Sequence, residues 1–284
     1  MDFYWHIIAI ACMTIPHALA YNLVFGKGKI LHFGPIGVSL VASYAVVLTA
    51  MHSGSFIAAT LVGILTVVLL SLFLAWLSLR LDQDAFGVMT IAVHLSLLAV
   101  ILNWNGLTRG ALGIPGVPRF SFLSSVQSFA IAAAVISALF VIALRLIDKS
   151  AFGRQLQALA EHEWHAKSLG INRTRAHVIA FLVAGAGALA TALLFPQYLT
   201  FLHPNDYQYP FLVFFITIVV AGNPGSVYGV LLSTILLTVL KEALRFLPLP
   251  SAMMGPIRLI LFGVIMLAVV YWRRDTLFPK QRSI

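Results

Sequence analysis

An all-α, polytopic membrane fold follows from three observations on this 284-residue chain: its apolar content, its scarcity of charge and the placement of its few cations. Apolar residues make up 61% of the chain and charged residues only 10%, at a mean hydropathy of +0.98, whereas soluble domains carry about 25% charged residues. Too few charges remain to cover a water-facing surface, so most of this surface faces lipid. The apolar residues fall into runs near the ~20 that a helix needs to cross a bilayer. They predict spans at 3–24, 30–51, 55–80, 85–104, 124–146, 176–199, 208–222, 226–247 and 256–273. The run at 208–222 is short for a crossing and reads as a short or broken helix, because the turn sequence Gly222-Asn223-Pro224-Gly225 follows at once. The expectation is one domain, 1–284, with eight or nine spans, an extracytoplasmic loop at 105–123 and a cytoplasmic loop at 147–175.

Charge orients the spans. With 147–175 inside, the inner set is Lys27, Lys29, Arg80, Arg145, Lys149, Arg154, Lys167, Arg173, Arg175, Arg273, Arg274, Lys280 and Arg282. The outer set is Arg109, Arg119, Lys241, Arg245 and Arg258, so the division is 13 to 5. Cytoplasmic enrichment in Lys and Arg is what membrane insertion produces. An odd number of spans then puts the N-terminus outside and the C-terminus inside. The formal charge of +9 therefore reports topology and headgroup contact, not nucleic-acid binding. The first residues, Met1 to His6, lack the basic region of a cleaved signal, so the first run is read as a retained span. Cys12 is the only cysteine, which excludes an intrachain disulfide and a cysteine metal framework.

The interior of the spans offers little chemistry. Asp82 and Asp84 lie at the inner mouth and Lys241-Glu242 toward an outer end, leaving His17 and His94 nearest mid-span. A lone intramembrane histidine is expected to hydrogen-bond to a neighbouring helix, and these two are read that way. Proton- or ion-coupled transport calls for buried charge that is absent here. There is no G-x-x-x-x-G-K-[ST], H-E-x-x-H or G-x-S-x-G, hence no P-loop, zinc protease site or nucleophile elbow. Uphill transport would need energy from another chain. The small residues Ala184 to Ala188 and Gly225 to Gly229 allow close helix approach, either between subunits or within one.

The loop 147–175 is the informative segment. Ser150 is placed to cap a helix from near Phe152, whose Phe152, Leu156, Leu159 and Ala160 share one face. Gly170 suits the position closing a second short helix after Glu163. Such a knob fits a groove on a soluble partner and can tilt the spans attached to it.

The run Gly153-Arg154-Gln155-Leu156-Gln157-Ala158-Leu159-Ala160-Glu161-His162-Glu163, then Ala166 and Leu169-Gly170-Ile171-Asn172, resembles the coupling-helix loop of branched-chain amino-acid ABC importer permeases of the LivM type. Three further segments resemble the same family in order and spacing: Gly26-Lys27-Gly28-Lys29-Ile30-Leu31-His32-Phe33-Gly34, Leu79-Arg80-Leu81 followed by Thr108-Arg109-Gly110-Ala111-Leu112-Gly113-Ile114-Pro115-Gly116-Val117-Pro118, and Ala221-Gly222-Asn223-Pro224-Gly225-Ser226-Val227-Tyr228-Gly229. The chain departs from the family pattern at Arg109, where glycine is usual, at Lys27 and Lys29, at His162 and at Asn223-Pro224. The resemblance implies a permease that pairs with a second, related permease subunit, two cytoplasmic ATPase subunits and an extracytoplasmic solute-binding protein in a bacterial-type inner membrane. It implies no cofactor in this chain, ATP and Mg²⁺ being held by the ATPases. It places Gly153, Arg154, Glu161, Glu163, Ala166, Gly170 and Ile171 in ATPase coupling. Phe33, Gly34, Thr108, Arg109, Gly110 and Gly113 fall on the substrate path or the binding-protein contact, and Gly222, Pro224, Gly225 and Gly229 form a structural turn. The implied solute is a branched-chain amino acid. The same family also serves urea, short amides and other small polar solutes. The rival function is an ATP-independent channel or facilitator for a small neutral solute such as urea, and the loop 147–175 is what separates the two.

Overall fold

A computed structural model describes residues 2–120, 123, 125–246 and 251–272 and builds them almost entirely from α-helix. In chain order the helices are α1 (Asp2–Asn22), α2 (Pro35–Ser53), α3 (Phe56–Arg80), α4 (Gln83–Asn103), α5 (Asn105–Thr108), α6 (Val126–Lys149), α7 (Ala151–Glu161), α8 (Glu163–Ser168), α9 (Arg173–Leu199), α10 (Tyr209–Ala221), α11 (Val227–Ala243) and α12 (Ser251–Trp272). Among the described residues, eight of these elements are long and apolar enough to cross a membrane. The exceptions are α5, α7, α8 and α10; the 13 residues of α10 reach about 20 Å at 1.5 Å per residue. That falls short of a ~30 Å hydrocarbon core, as the turn at Gly222 leads one to expect.

Helix α1 is the axis of the bundle. Its spanning segment is 83% buried, against 28% for α3, 22% for α6 and 6% for α12, so α1 is wrapped by protein while the others turn apolar faces outward. It packs against α6, α9 and α11. Gly187 of α9 lies against the Pro16 carbonyl and Ala20 of α1, and Gly185 lies against Val67 and Ser71 of α3. The small-residue run therefore serves packing within one subunit, where the sequence left an inter-subunit seam equally open. Helix α12 rests mainly on α10, with Phe214 and Phe262 rings 5.0 Å apart.

Two features differ from expectation. The second span does not begin as a helix at residue 30: α2 starts at Pro35, and Gly28 to Gly34 is non-helical. Proline is favoured at the first helical position because its missing N–H would be an orphan there anyway. The α2 start lies deep in the bundle, since Pro35 shares a small cavity with His17, ten residues or about 15 Å along α1 from Lys27. Irregular backbone at that depth survives only where protein surrounds it. Here Ile30 N–H donates to the Val24 carbonyl (3.1 Å), Phe33 N–H to Thr90 Oγ1 (3.0 Å), and Tyr21 O–H to the His32 carbonyl (2.8 Å). The second feature is a short antiparallel pair, β1 (Ile114–Pro115) with β2 (Phe201–Leu202), which ties the 105–123 loop to the end of α9. Two-residue strands carry no periodicity that a sequence could display.

The cations separate to opposite ends of the bundle. Lys27, Arg145 and Arg173 meet Asp148, Tyr228 and Ser78 at one end. Arg119 donates to the Gln197 and Tyr198 carbonyls, and Arg245 pairs with Glu242, at the other. Arg273, Arg274, Lys280 and Arg282 lie outside the described residues.

Candidate functional site

The loop 147–175 folds into the two short helices α7 and α8. Ser150 caps α7 by accepting from Gly153 N–H (3.2 Å). At the far end Gly170 adopts φ +82°, with Gly170 N–H donating to Lys167 O (2.9 Å) and Ile171 N–H to Ala166 O (3.1 Å). This is the glycine-closed helix end in which two orphan carbonyls find donors. Leu156 and Leu159 point inward, whereas Arg154, Glu161 and Gly170 are exposed. Gly153 and Ala166 are buried, the latter 2% exposed, so neither is free to touch a partner as coupling contacts would require. Gly153 sits against the Ile147 and Asp148 carbonyls, where a Cβ has no room. Glu163 and Ile171 are half-buried.

Three segments far apart in sequence meet here. Gly26, in a π-helical turn (Leu23–Lys27) that ends α1, lies directly on the backbone of Gly225. Gly225 N–H donates to Asn22 Oδ1 (2.8 Å), and Gly28 stands against Leu156 of α7. Lys27 forms an ion pair with Asp148 and donates to its carbonyl (3.0 Å). A polar cavity of about 320 Å³ remains between them, lined by Lys29, Gln157, Glu161, Asn223 and Pro224 among others. Gly225 has φ +87°, open to glycine without strain. Gly222 and Gly229 let α10 and α11 touch backbone to backbone: a Cβ at Gly222 would sit 2.5 Å from Val230 Cα and 2.8 Å from the Gly229 carbonyl. The glycine run after α1, the coupling-type loop and the late turn thus form one platform.

A second attachment joins α8 to α3 and α9. Glu163 pairs with Lys167 (2.5 Å) and Arg173 (3.3 Å), and Arg173 donates to the Ser78 carbonyl (3.0 Å). Partial burial pushes the Glu163 carboxyl up, but Lys167 and Arg173 pull it further the other way, leaving it below its ordinary 4.5. Displacing α7 and α8 would therefore load the end of α1 through Leu156 and α3 through Arg173, while Lys27–Asp148 ties that same end of α1 to the last turn of α6.

The remaining predicted positions lie elsewhere and do not join this site. Phe33 and Gly34 lie inside the bundle against Thr90 and His94 of α4. Thr108 is buried at the opposite end from the platform, its hydroxyl donating to Ile101 O (2.5 Å) and Trp104 O (2.8 Å). Arg109 is exposed with φ +60°, Gly110 is buried with φ +56°, and Gly113 packs at φ +69° against Leu202 and His203. Arg109 holds a left-handed backbone that an L side chain resists and glycine adopts freely.

Sequence reasoning missed two groups. Trp164 and Leu169 are 84% and 80% exposed on α8 and its cap, an apolar pair at the tip of the platform; a tryptophan in a polar loop was the available signal. His17 and His94 do not stand alone, because His32 converges on them. His32 belongs to the non-helical segment itself and meets His17 of α1 and His94 of α4 there, all three at most 2% exposed. Among the described residues His17 Nδ1, His32 Nδ1 and both His94 nitrogens lack a hydrogen-bond partner. His32 read as part of an apolar run, so its convergence with the others had no sequence signal.

A family model described as the permease component of branched-chain amino acid transport systems matches residues 5–270. The high-affinity branched-chain amino acid permease LivM of Salmonella typhimurium is 26% identical, over 97% of this chain and 70% of that protein. LivM of Escherichia coli K12 is 25% identical with the same coverage, and the autoinducer 2 import permease LsrC of Salmonella paratyphi B is 25% identical over 86% of this chain and 79% of its own length. Among solved structures, a chain of PsaBC from Streptococcus pneumoniae in complex with Fab superposes at a TM-score of 0.49 with 15% identity, covering 98% of this chain and 92% of that one. With a family model matching nearly its whole length, the chain belongs to the family of permease components of branched-chain amino acid transport systems.

Proposed function

We propose that this chain is a membrane-spanning permease subunit of an ABC importer, driven by ATP hydrolysed with Mg²⁺ on two separate ATPase subunits. The observation that carries this reading is the platform: the amphipathic helix α7 and the short α8, tied to the central helix α1 and to α3, present Trp164 and Leu169 to solvent. A facilitator that works alone has no use for such a lever. The platform faces the cytoplasm, with the N-terminus outside and the C-terminus inside, in keeping with the cation distribution. An ATPase groove receives Trp164 and Leu169, with Arg154 and Glu161 at the rim; large aromatic anchors surrounded by polar contacts are typical of such docking. Closure of the ATPases moves α7 and α8, and the end of α1 follows through Gly28–Leu156 and, by way of the last turn of α6, through Lys27–Asp148.

Thr108, Arg109, Gly110 and Gly113 stand at the opposite end, where an extracytoplasmic binding protein delivers solute. Phe33 and Gly34, at the break before α2, lie along the path inward. A second permease subunit completes the passage. The solute is a branched-chain amino acid, in keeping with the LivM relatives. The LsrC relatives, named for autoinducer 2 import, support a second reading in which another small polar solute is carried. Reconstitution in liposomes tests the reading. Leucine uptake that requires the ATPases, the second permease, binding protein and ATP together is expected, and equal uptake by liposomes holding this chain alone would replace the importer by a facilitator.

A further inference from the structure

At the end of the bundle opposite the platform, α10, α11 and α12 enclose a cavity of about 230 Å³ with both signs of charge on its walls. Asp206 borders it from the turn before α10, Lys241 from the end of α11, and Arg258 from the first turns of α12. Phe211, Phe214 and Phe262 supply apolar walls. The volume is below the ~300–1,000 Å³ of clefts that take drug-sized ligands, so the space suits a small molecule.

The charges are held apart across this space. Asp206 and Lys241 feel each other electrostatically, as do Lys241 and Arg258, yet among the described residues Asp206 and Arg258 form no ion pair. Among the described residues the buried Arg258 Nε finds no acceptor, which a structural guanidinium would normally have. Lys241 is fixed over Phe214 (5.4 Å) and Phe211 (6.0 Å), with Glu242 at 3.8 Å. That carboxylate is itself engaged by Arg245 at 3.1 Å and faced by His6 at 3.7 Å, so it does not silence Lys241. One anionic wall, two cationic groups and an aromatic floor match a ligand with a primary ammonium, an anionic group and a small apolar body.

We propose that this cavity is a zwitterion-binding site in which Asp206 faces the ammonium, Arg258 and Lys241 face the anionic group, and Phe211, Phe214 and Phe262 receive the apolar body. The site deepens the importer reading, on which its place at the outer mouth rests. It would select an α-amino acid over an uncharged solute such as urea. A phosphatidylethanolamine headgroup carries the same pair of charges, so the ligand has two sources to be told apart.

The test is radiolabelled leucine binding to the full chain, assembled with the second permease and the ATPases but without the binding protein, in nanodiscs of phosphatidylcholine alone and of phosphatidylcholine with phosphatidylethanolamine. Saturable binding is expected in both, displaced by isoleucine but not by 4-methylpentanoate, which lacks the ammonium, nor by isopentylamine, which lacks the carboxylate. Asp206→Asn and Arg258→Gln should each weaken binding at least tenfold. If leucine does not bind but phosphatidylethanolamine is retained selectively through delipidation, and is lost in the two variants, the site stands with the lipid as its ligand. The site is overturned by the single-charge analogues competing as well as leucine, by unchanged affinity in both variants, or by neither zwitterion binding. The analogue panel uses only unaltered protein, so a misfolded variant does not decide it. Retention of the ATPases by the same preparation separates the two readings: ATPases retained without zwitterion binding would refute the site and leave the importer intact.

Discussion

Replacing Leu156 by alanine should uncouple the platform from the central helix. Leu156 is 1% exposed, and its Cδ1 lies 3.4 Å from the place a Gly28 Cβ would take, so it plugs α7 onto the end of α1. Truncating a buried leucine to alanine costs about 2–5 kcal/mol. The flanking apolar residues Leu159 and Phe152 hold α7 only in part, being 8% exposed and half-buried respectively. At about 1.4 kcal/mol per decade, even the lower cost shifts the docked–undocked balance of α7 some 30-fold. Amide exchange of residues 151–161 reads this directly, because local opening sets protection. The expected result is at least ~30-fold faster exchange in α7 with the protection of α9 unchanged. Unchanged protection of α7 would refute the claim that Leu156 anchors the platform, and equal loss in α9 would show that the loop and bundle open as one unit.

Three other substitutions or conditions follow from the same geometry. Gly222→Ala places a methyl 2.5 Å from Val230 Cα, a backbone contact that no rotamer relieves, so a loss of ~1–3 kcal/mol or more is expected in detergent unfolding titrations; a wild-type midpoint would contradict the close α10–α11 approach. Arg109→Gly relieves a left-handed backbone and should stabilise by up to ~1 kcal/mol, whereas Arg109→Ala should not, as thermal unfolding of the two variants would reveal. Glu163 is held below 4.5 in the folded chain, so its pairing stabilises α8 above that pH and is lost as pH falls through the lowered folded value. Because Glu163 is about a third exposed, the effect is below ~1 kcal/mol, and Glu163→Gln should remove the acid-dependent rise in α8 exchange.

Much of this was legible in the sequence because lipid imposes a simple rule on it. Long apolar runs mark α3, α4, α6, α9, α11 and α12, and the turn at Gly222 marks α10 as short. Ser150 and Gly170, the caps of the α7–α8 loop, could be read because capping is local chemistry. The start of α2 could not. Ile30, Leu31 and Phe33 are as apolar in an extended segment inside the bundle as in a helix, so hydropathy does not distinguish the two. The platform was readable only in pieces: that Gly26, Leu156 and Gly225 meet is a matter of long-range packing, which no local signal encodes. For the same reason Ala166 was placed among the partner contacts although it is buried, and Trp164 was not, although it is 84% exposed.

The most direct test of the central claim is co-purification through the platform. An affinity tag on an ATPase subunit alone should carry the wild-type chain through detergent. Trp164→Ala with Leu169→Ala should abolish that retention while leaving membrane insertion and the folded state of the chain intact. Retention of the double variant at wild-type levels would show that the ATPase does not dock on the α8 tip. A wild-type chain that never follows an ATPase, yet alone conducts solute in liposomes, would contradict the importer account itself.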